Sequence, residues 1–262
     1  MKTTQDIIND SGYPLQIRLE KLINETKEHH QWHVLVTEHR WINGETKEDG
    51  FIDLILEHND KFLKLVVECK RITGSWTFLL PTITPNNEHR VRILHTHYNT
   101  FKYTWDEVNL SPESNEAAYC VMEVKGGKDS RTLEKLTGEL LLSLEYLALE
   151  ETDLVKSLQE RHNTPNLSYQ QQDMYYLPII VTTATLQKMI FDPLNVDLKS
   201  GKISDSHISP IQFIRFRKNL ATNIKYERPL SYTLRDLNRE NDRTVFVIQA
   251  ENFINFLSSI DI

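Results

Sequence analysis

Apolar positions recur with two different periods along this chain, and the changes of period outline its elements. Over residues 12–29, Leu15, Leu19, Leu22 and Ile23 fall on one helical face. Pro14 suits the first helical position, where its missing N–H costs nothing. Gln16 and Glu20 lie one turn apart on the margin of that face, looking along the core boundary. Residues 32–39 (WHVLVTEH), 51–57 (FIDLILE) and 62–69 (FLKLVVEC) read as strands. The last two are joined by His58-Asn59-Asp60-Lys61, whose Asn-Asp pair is a hairpin signal. Their unbroken apolar runs predict strands covered on both faces.

Residues 118–125 (AYCVMEVK) predict a further strand, ended by Gly126-Gly127. Leu133, Leu136, Leu140, Leu141, Leu144 and Leu147 make a helical stripe over 130–149. Buried strands are expected at 176–184 and 243–249, and a closing helix at 250–259. Residues 71–117 are polar and aromatic, with Pro81, Pro85 and Pro112, and read as an insertion. Helix, three strands, helix, strand is an α/β order. The expectation is one domain over 1–262, with a core at 12–70 and 118–184 and a C-terminal extension over about 185–262.

Composition adds limits. Of the 262 residues 39% are hydrophobic and 26% charged, ordinary for a globular protein. A net charge of -7 argues against a protein that coats DNA through a basic excess. It leaves room for a local basic rim or a bound cation. The two cysteines, Cys69 and Cys120, have neither metal-type nor redox-type spacing, which suggests a reducing compartment. With no signal-like apolar segment, and no run near the ~18 apolar residues of a membrane span, the expectation is a cytoplasmic protein away from membranes.

The candidate chemistry sits on the hairpin. Val66, Glu68 and Lys70 share one strand face, while Leu65, Val67 and Cys69 point the other way. A turn centred on Asn59-Asp60 would set Asp53 opposite Val66. Glu68 would then be its diagonal neighbour, with backbones about 7–8 Å apart. Two carboxylates so placed can share a divalent ion. Hard oxygen ligands suit Mg2+, with Mn2+ as a substitute. Lys70 can orient an attacking water and offset developing charge. The competing reading is a set of surface ion pairs at strand ends. Against it, Asp53 interrupts the apolar run FIDLIL, where an unpaired carboxylate is costly.

The segments GYPLQIRLEKLI, Trp41 with EDGFIDLIL, and LVVECK resemble the PD-(D/E)XK nuclease superfamily, within it restriction-endonuclease-like bacterial proteins. The resemblance is specific over residues 12–70 and weaker over 130–149 and 176–184. It implies a restriction-endonuclease-like mixed sheet flanked by helices, with insertions. It implies that Asp53 and Glu68 hold the metal, joined by the Cys69 carbonyl, with Lys70 assisting the water. Relatives place a glutamate on the first helix, where this chain has Gln16. Gln16, through its amide oxygen or a metal-bound water, or Glu20 one turn on, would take that place. The implied activity is Mg2+-dependent cleavage of nucleic acid, DNA rather than RNA, in bacterial defence or DNA processing. A homodimer or a defence-system protein would be the partner. The alternative is a nuclease-fold protein that has lost turnover and serves as a nucleic-acid-binding or scaffolding subunit.

Other residues carry weaker signals. Lys125, Lys128 and Arg131 around a glycine pair, at a helix start, suit a phosphate contact or simply a solvated turn. Glu123 with Lys125 is a second Glu-X-Lys that lacks an aspartate partner. Arg215, Arg217 and Lys218, interleaved with Phe213 and Phe216, read as a nucleic-acid rim or as a strand with a basic outer face. His95 and His97 share a strand face, but no further His or Cys follows at zinc spacing. His29, His30 and His33 read as surface histidines.

Overall fold

The first long helix forms where the apolar stripe predicts it. In the computed structural model α1 is Thr4–Asp10 and α2 is Tyr13–His30. Gly12 takes the α2 N-cap with φ 84°, and Pro14 lies in the first turn. The structure describes residues 3–43, 48–59, 62–82, 89–98, 100–124, 127–129, 132–162, 173–220 and 231–261, the backbone alone at 124, 127–129 and 162. The strands are β1 (Trp32–Ile42), β2 (Asp49–His58), β3 (Leu63–Lys70), β4 (Ser75–Pro81), β5 (Arg90–His97) and β6 (Lys102–Asn109). There follow β7 (Glu116–Ala117), β8 (Tyr119–Val124), β9 (Gly127–Asp129), the helix α3 (Thr132–His162), β10 (Met174–Thr182) and β11 (Thr185–Phe191). The chain closes with β12 (Val196–Asp197), β13 (Lys202–Ile203), β14 (His207–Pro210), β15 (Phe213–Asn219), α4 (Leu234–Glu240), β16 (Asp242–Gln249) and α5 (Phe253–Ser259).

This is a mixed α/β protein with a large mixed central sheet flanked by helices. Its path runs β1-β2-β3-β10-β16-β15-β7, and the β5–β6 hairpin joins it through β10. β10 is parallel to β3 along its length. Its other edge is divided: β5 pairs at Met174–Tyr176 and β16 at Ile179–Thr182. A second sheet runs β14-β11-β4-β8-β9. Residues 71–117 thus supply β5, β6 and β7 to the central sheet and β4 to the second.

The central sheet is covered on both faces, as its apolar runs require. Leu19 and Ile23 of α2, with Phe253, Phe256 and Leu257 of α5, pack with Leu54, Leu65, Val67 and Ile179. On the opposite face Leu133, Leu140, Leu144 and Leu147 of α3 pack with Ile55, Val66, Ile180 and Trp76. Arg243, fully buried, places its guanidinium over the Trp105 ring at 4.1 Å. His30 is also buried, contrary to the surface position its sequence suggests. Its Nδ1 accepts from the Trp32 N–H at 3.0 Å, so it closes the α2–β1 turn, and burial lowers its pKa.

One glycine has a steric purpose. Trp41 stacks on Tyr146 of α3 with ring centroids 5.5 Å apart. A Cβ on Gly50, its cross-strand partner, would lie 2.9 Å from the indole. The ring cannot yield without leaving Tyr146. Gly50→Ala is therefore expected to cost about 1–3 kcal/mol and to shift tryptophan fluorescence. Unchanged melting and emission would contradict this.

Candidate active site where two strands part

The β2–β3 register differs from the expected one. Ile55, not Asp53, stands opposite Val66. The connection is centred one residue later than the Asn59-Asp60 signal, and a shift of two in register leaves the side-chain faces unchanged. The ladder ends at Leu54 and Val67. One further step would bring Asp53 level with Glu68, closer than the diagonal arrangement expected.

Regular pleating is lost at that point. Ile52 packs on the α3 side together with Ile55, whereas strict alternation would place it with Leu54 on the α2 side. Across β1, Glu38 has φ 52°, a left-handed conformation costly for a residue with a Cβ. β3 continues to pair with β10 as far as Lys70 but leaves β2 after Val67. The Asp53 side chain fills the gap: its Oδ2 accepts from the Cys69 N–H at 2.6 Å. The carboxylate thus replaces a ladder bond and is fixed against the backbone of Cys69.

Four more groups surround it. Lys70 Nζ makes a short ion pair with Glu68. Gln16 reaches over from α2, and its Nε2 donates to Glu38 Oε1 at 2.6 Å and to the Asp53 carbonyl at 3.1 Å. The amide nitrogen must face these partners, because both are acceptors. Gln16 therefore meets the site as a donor, and of the contacts expected of it the direct amide-oxygen ligand is the one this arrangement opposes. Glu20, one turn on, is half-buried, and the helix contact to Asp53 and Glu38 is made by Gln16. Glu68 also lines a cavity of about 310 Å3 with Trp41, Gly50, Phe51 and Glu139.

Burial, then the neighbouring Glu68, pushes the Asp53 carboxyl up to about 7. Burial acts to lower the Lys70 ammonium, yet Glu68, followed by Asp53 and Glu139, holds it above its usual range. The Cys69 thiol is raised by burial first and by both carboxylates next. It is therefore a buried neutral group, and only its backbone faces the site chemistry. The arrangement is a shortage of positive charge around two to three carboxylates, partly met by Lys70. Those oxygens, with the Cys69 carbonyl, are a hard donor set that fits Mg2+ or Mn2+.

Glu38 was not singled out from sequence. The only signal was an acid inside WHVLVTEHRW, and a register irregularity between Val34 and Val36 removes the parity that would have placed it.

The other sequence candidates lie elsewhere. Arg215 is fully buried, and its guanidinium donates to the carbonyls of Arg90 at 2.7 Å and Ser114 at 3.0 Å. Arg217 donates from Nε to Asp242 at 2.8 Å and faces Glu116 and Glu107. Neither belongs to an open basic rim; they tie β15 to its surroundings. Lys125 and Arg131 lie outside the described residues, and only the backbone of Lys128, in β9, is described. Glu123 lies exposed on the second sheet, accepting from the Ser75 hydroxyl at 3.1 Å. Among the described residues no helix is long and apolar enough to cross a membrane.

Comparison with protein-family models, with curated proteins and with solved structures found no match.

Proposed function

We propose that this chain is a metal-dependent phosphodiesterase of the restriction-endonuclease type that cleaves DNA in preference to RNA. The observation that carries this reading is the meeting of Asp53, Glu68 and Lys70 around the Cys69 backbone where β2 and β3 separate. The resemblance over residues 12–70 rests on the same hairpin and adds the helix GYPLQIRLEKLI.

In this reading Asp53, Glu68 and the Cys69 carbonyl would hold Mg2+, with Glu38 nearby. A bound Mg2+ supplies Lewis acidity and a more acidic water. The Cys69 N–H keeps one Asp53 oxygen fixed and leaves the other for binding. Gln16 restrains Glu38 and the strand carrying Asp53. Lys70, paired with Glu68 at the site, would orient the attacking water. It also offsets charge growing on the phosphoryl oxygens. Phe51, exposed beside Glu68 in the cavity, offers aromatic surface to a base next to the scissile bond.

The test is incubation with plasmid, single-stranded DNA and RNA, each with Mg2+, Mn2+ or EDTA. Nicked or linear plasmid with either metal, intact plasmid in EDTA, and RNA cut more slowly are expected. Intact plasmid and single-stranded DNA under both metals would favour a fold that has lost turnover. The donor orientation of Gln16 and the burial of Arg215 are the observations on that side.

A further inference from the structure

A second constellation lies at the far end of β10. β10 runs from Met174 beside Thr96 to Thr182 beside Lys70, about 26 Å at 3.3 Å per residue. At the Met174 end, His95 and His97 of β5 meet Asp173, the residue just before β10. One ligand atom from each lies within 4.8 Å of the others. We infer that His95, His97 and Asp173 form a Zn2+ site separate from the proposed phosphodiesterase centre.

The distances favour an ion. His95 Nε2 and His97 Nδ1 stand 3.6 and 3.4 Å from Asp173 Oδ2. The His97 contact meets hydrogen-bond geometry, but both distances are long for a hydrogen bond. Ligand atoms roughly 2.0–2.1 Å from a tetrahedral Zn2+ are about 3.3–3.4 Å apart, close to the observed edges.

Proton placement points the same way. His95 Nδ1 is 2.7 Å from a carboxylate oxygen of Asp106 on β6, an acceptor, so Nδ1 carries the proton. In the neutral ring this turns the Nε2 lone pair toward Asp173. That nitrogen is buried without a hydrogen-bond partner among the described residues, and His95 is 7% exposed. In that form a lone pair faces a carboxylate, a repulsion that a cation bound between them removes. His97 Nε2 is 3.0 Å from the Thr104 hydroxyl, which leaves Nδ1 to face Asp173. Each imidazole thus has an outer partner on the nitrogen turned away from Asp173, as metal-bound histidines do. Tyr175 stacks on His95 with centroids 4.2 Å apart and shields that side.

Two imidazole nitrogens and one carboxylate oxygen suit Zn2+ better than Mg2+, and a water completes four ligands. The ion would clip the β5–β6 hairpin to the start of β10. Sequence spacing concealed the site, because its third ligand is an aspartate 76 residues beyond His97.

The test is calorimetric Zn2+ titration of chelator-treated Asp53→Asn protein, which removes the other centre's contribution. Co2+ visible absorption reports tetrahedral geometry. One equivalent of Zn2+, a tetrahedral Co2+ spectrum and a raised melting temperature are expected. Adding His97→Gln or Asp173→Asn should weaken binding more than about 100-fold, and adding Asp106→Asn about 10–100-fold. His97 and Asp173 are partly exposed, so these variants should keep the circular dichroism of their parent. Absence of Zn2+ binding in the folded Asp53→Asn protein would overturn the inference. Binding that survives His97→Gln and Asp173→Asn would overturn it equally.

Discussion

Lys70→Ala is expected to lower DNA cleavage by about 10³-fold while leaving Mg2+ or Mn2+ affinity within a few fold of wild type. Lysine is no metal ligand; its ammonium lies against Glu68, and its charge is held by Glu68, Asp53 and Glu139. Its removal leaves the oxygen donors in place and takes away the cation that, among the described residues, is set to meet the water and the phosphoryl oxygens. Lys70→Arg should not restore the rate. A guanidinium is flat and broad, and its proton is not available at neutral pH. Single-turnover cleavage measured beside calorimetric metal titration separates the two effects. Cleavage by Lys70→Ala at the wild-type rate would remove Lys70 from the mechanism and, with it, the reading of this site.

Asp53→Asn is expected to abolish both metal binding and cleavage and yet to stabilise the metal-free protein. Burial and Glu68 raise the Asp53 carboxyl from its ordinary 3.8 to about 7, so the folded state favours its protonated form. For an acid shifted upward, this contribution to stability is complete below about pH 4. It is lost as pH rises to about 7 and stays lost above that. At pH 8 the charged, buried carboxylate then weighs against folding by about 2 kcal/mol after allowance for side-chain rearrangement. Asparagine removes the charge, and its Oδ1 can still accept from the Cys69 N–H. Metal-free Asp53→Asn should melt about 4–6 °C above wild type at pH 8 and together with it at pH 4. Mg2+ should raise the wild-type melting temperature at pH 8 without moving that of the variant. It should do so less at pH 6, where protons compete for the same oxygen. Equal melting of the two proteins at both pH values would show that Asp53 bears no such burden.

These two substitutions separate what the residues do at one corner of the sheet, and that corner is also where local pattern stops being informative. The stripes of α2 and α3 and the apolar runs of β2, β3, β10 and β16 are readable without coordinates. Each depends only on a 3.6- or 2-residue period and on the cost of leaving such a face in water. Asp53 stood out for the same reason, as a charge inside FIDLIL, and Glu68 and Lys70 followed from strand alternation. The contribution of Glu38 could not be read this way. It depends on a positive φ, a register irregularity in β1 and the parting of β3 from β2, none of which has a periodic signature. The same holds for Arg215, whose alternation with Phe213 and Phe216 looks like a basic outer face. The β5–β6 hairpin and the segment before β7 bring the carbonyls of Arg90 and Ser114 to its guanidinium. His97 and Asp173 likewise meet only because β10 gives the start of one edge to β5 and the rest to β16. Periodicity reports which side chains leave water; which polar groups then face one another is decided by register and strand order, through contacts between residues far apart in the chain.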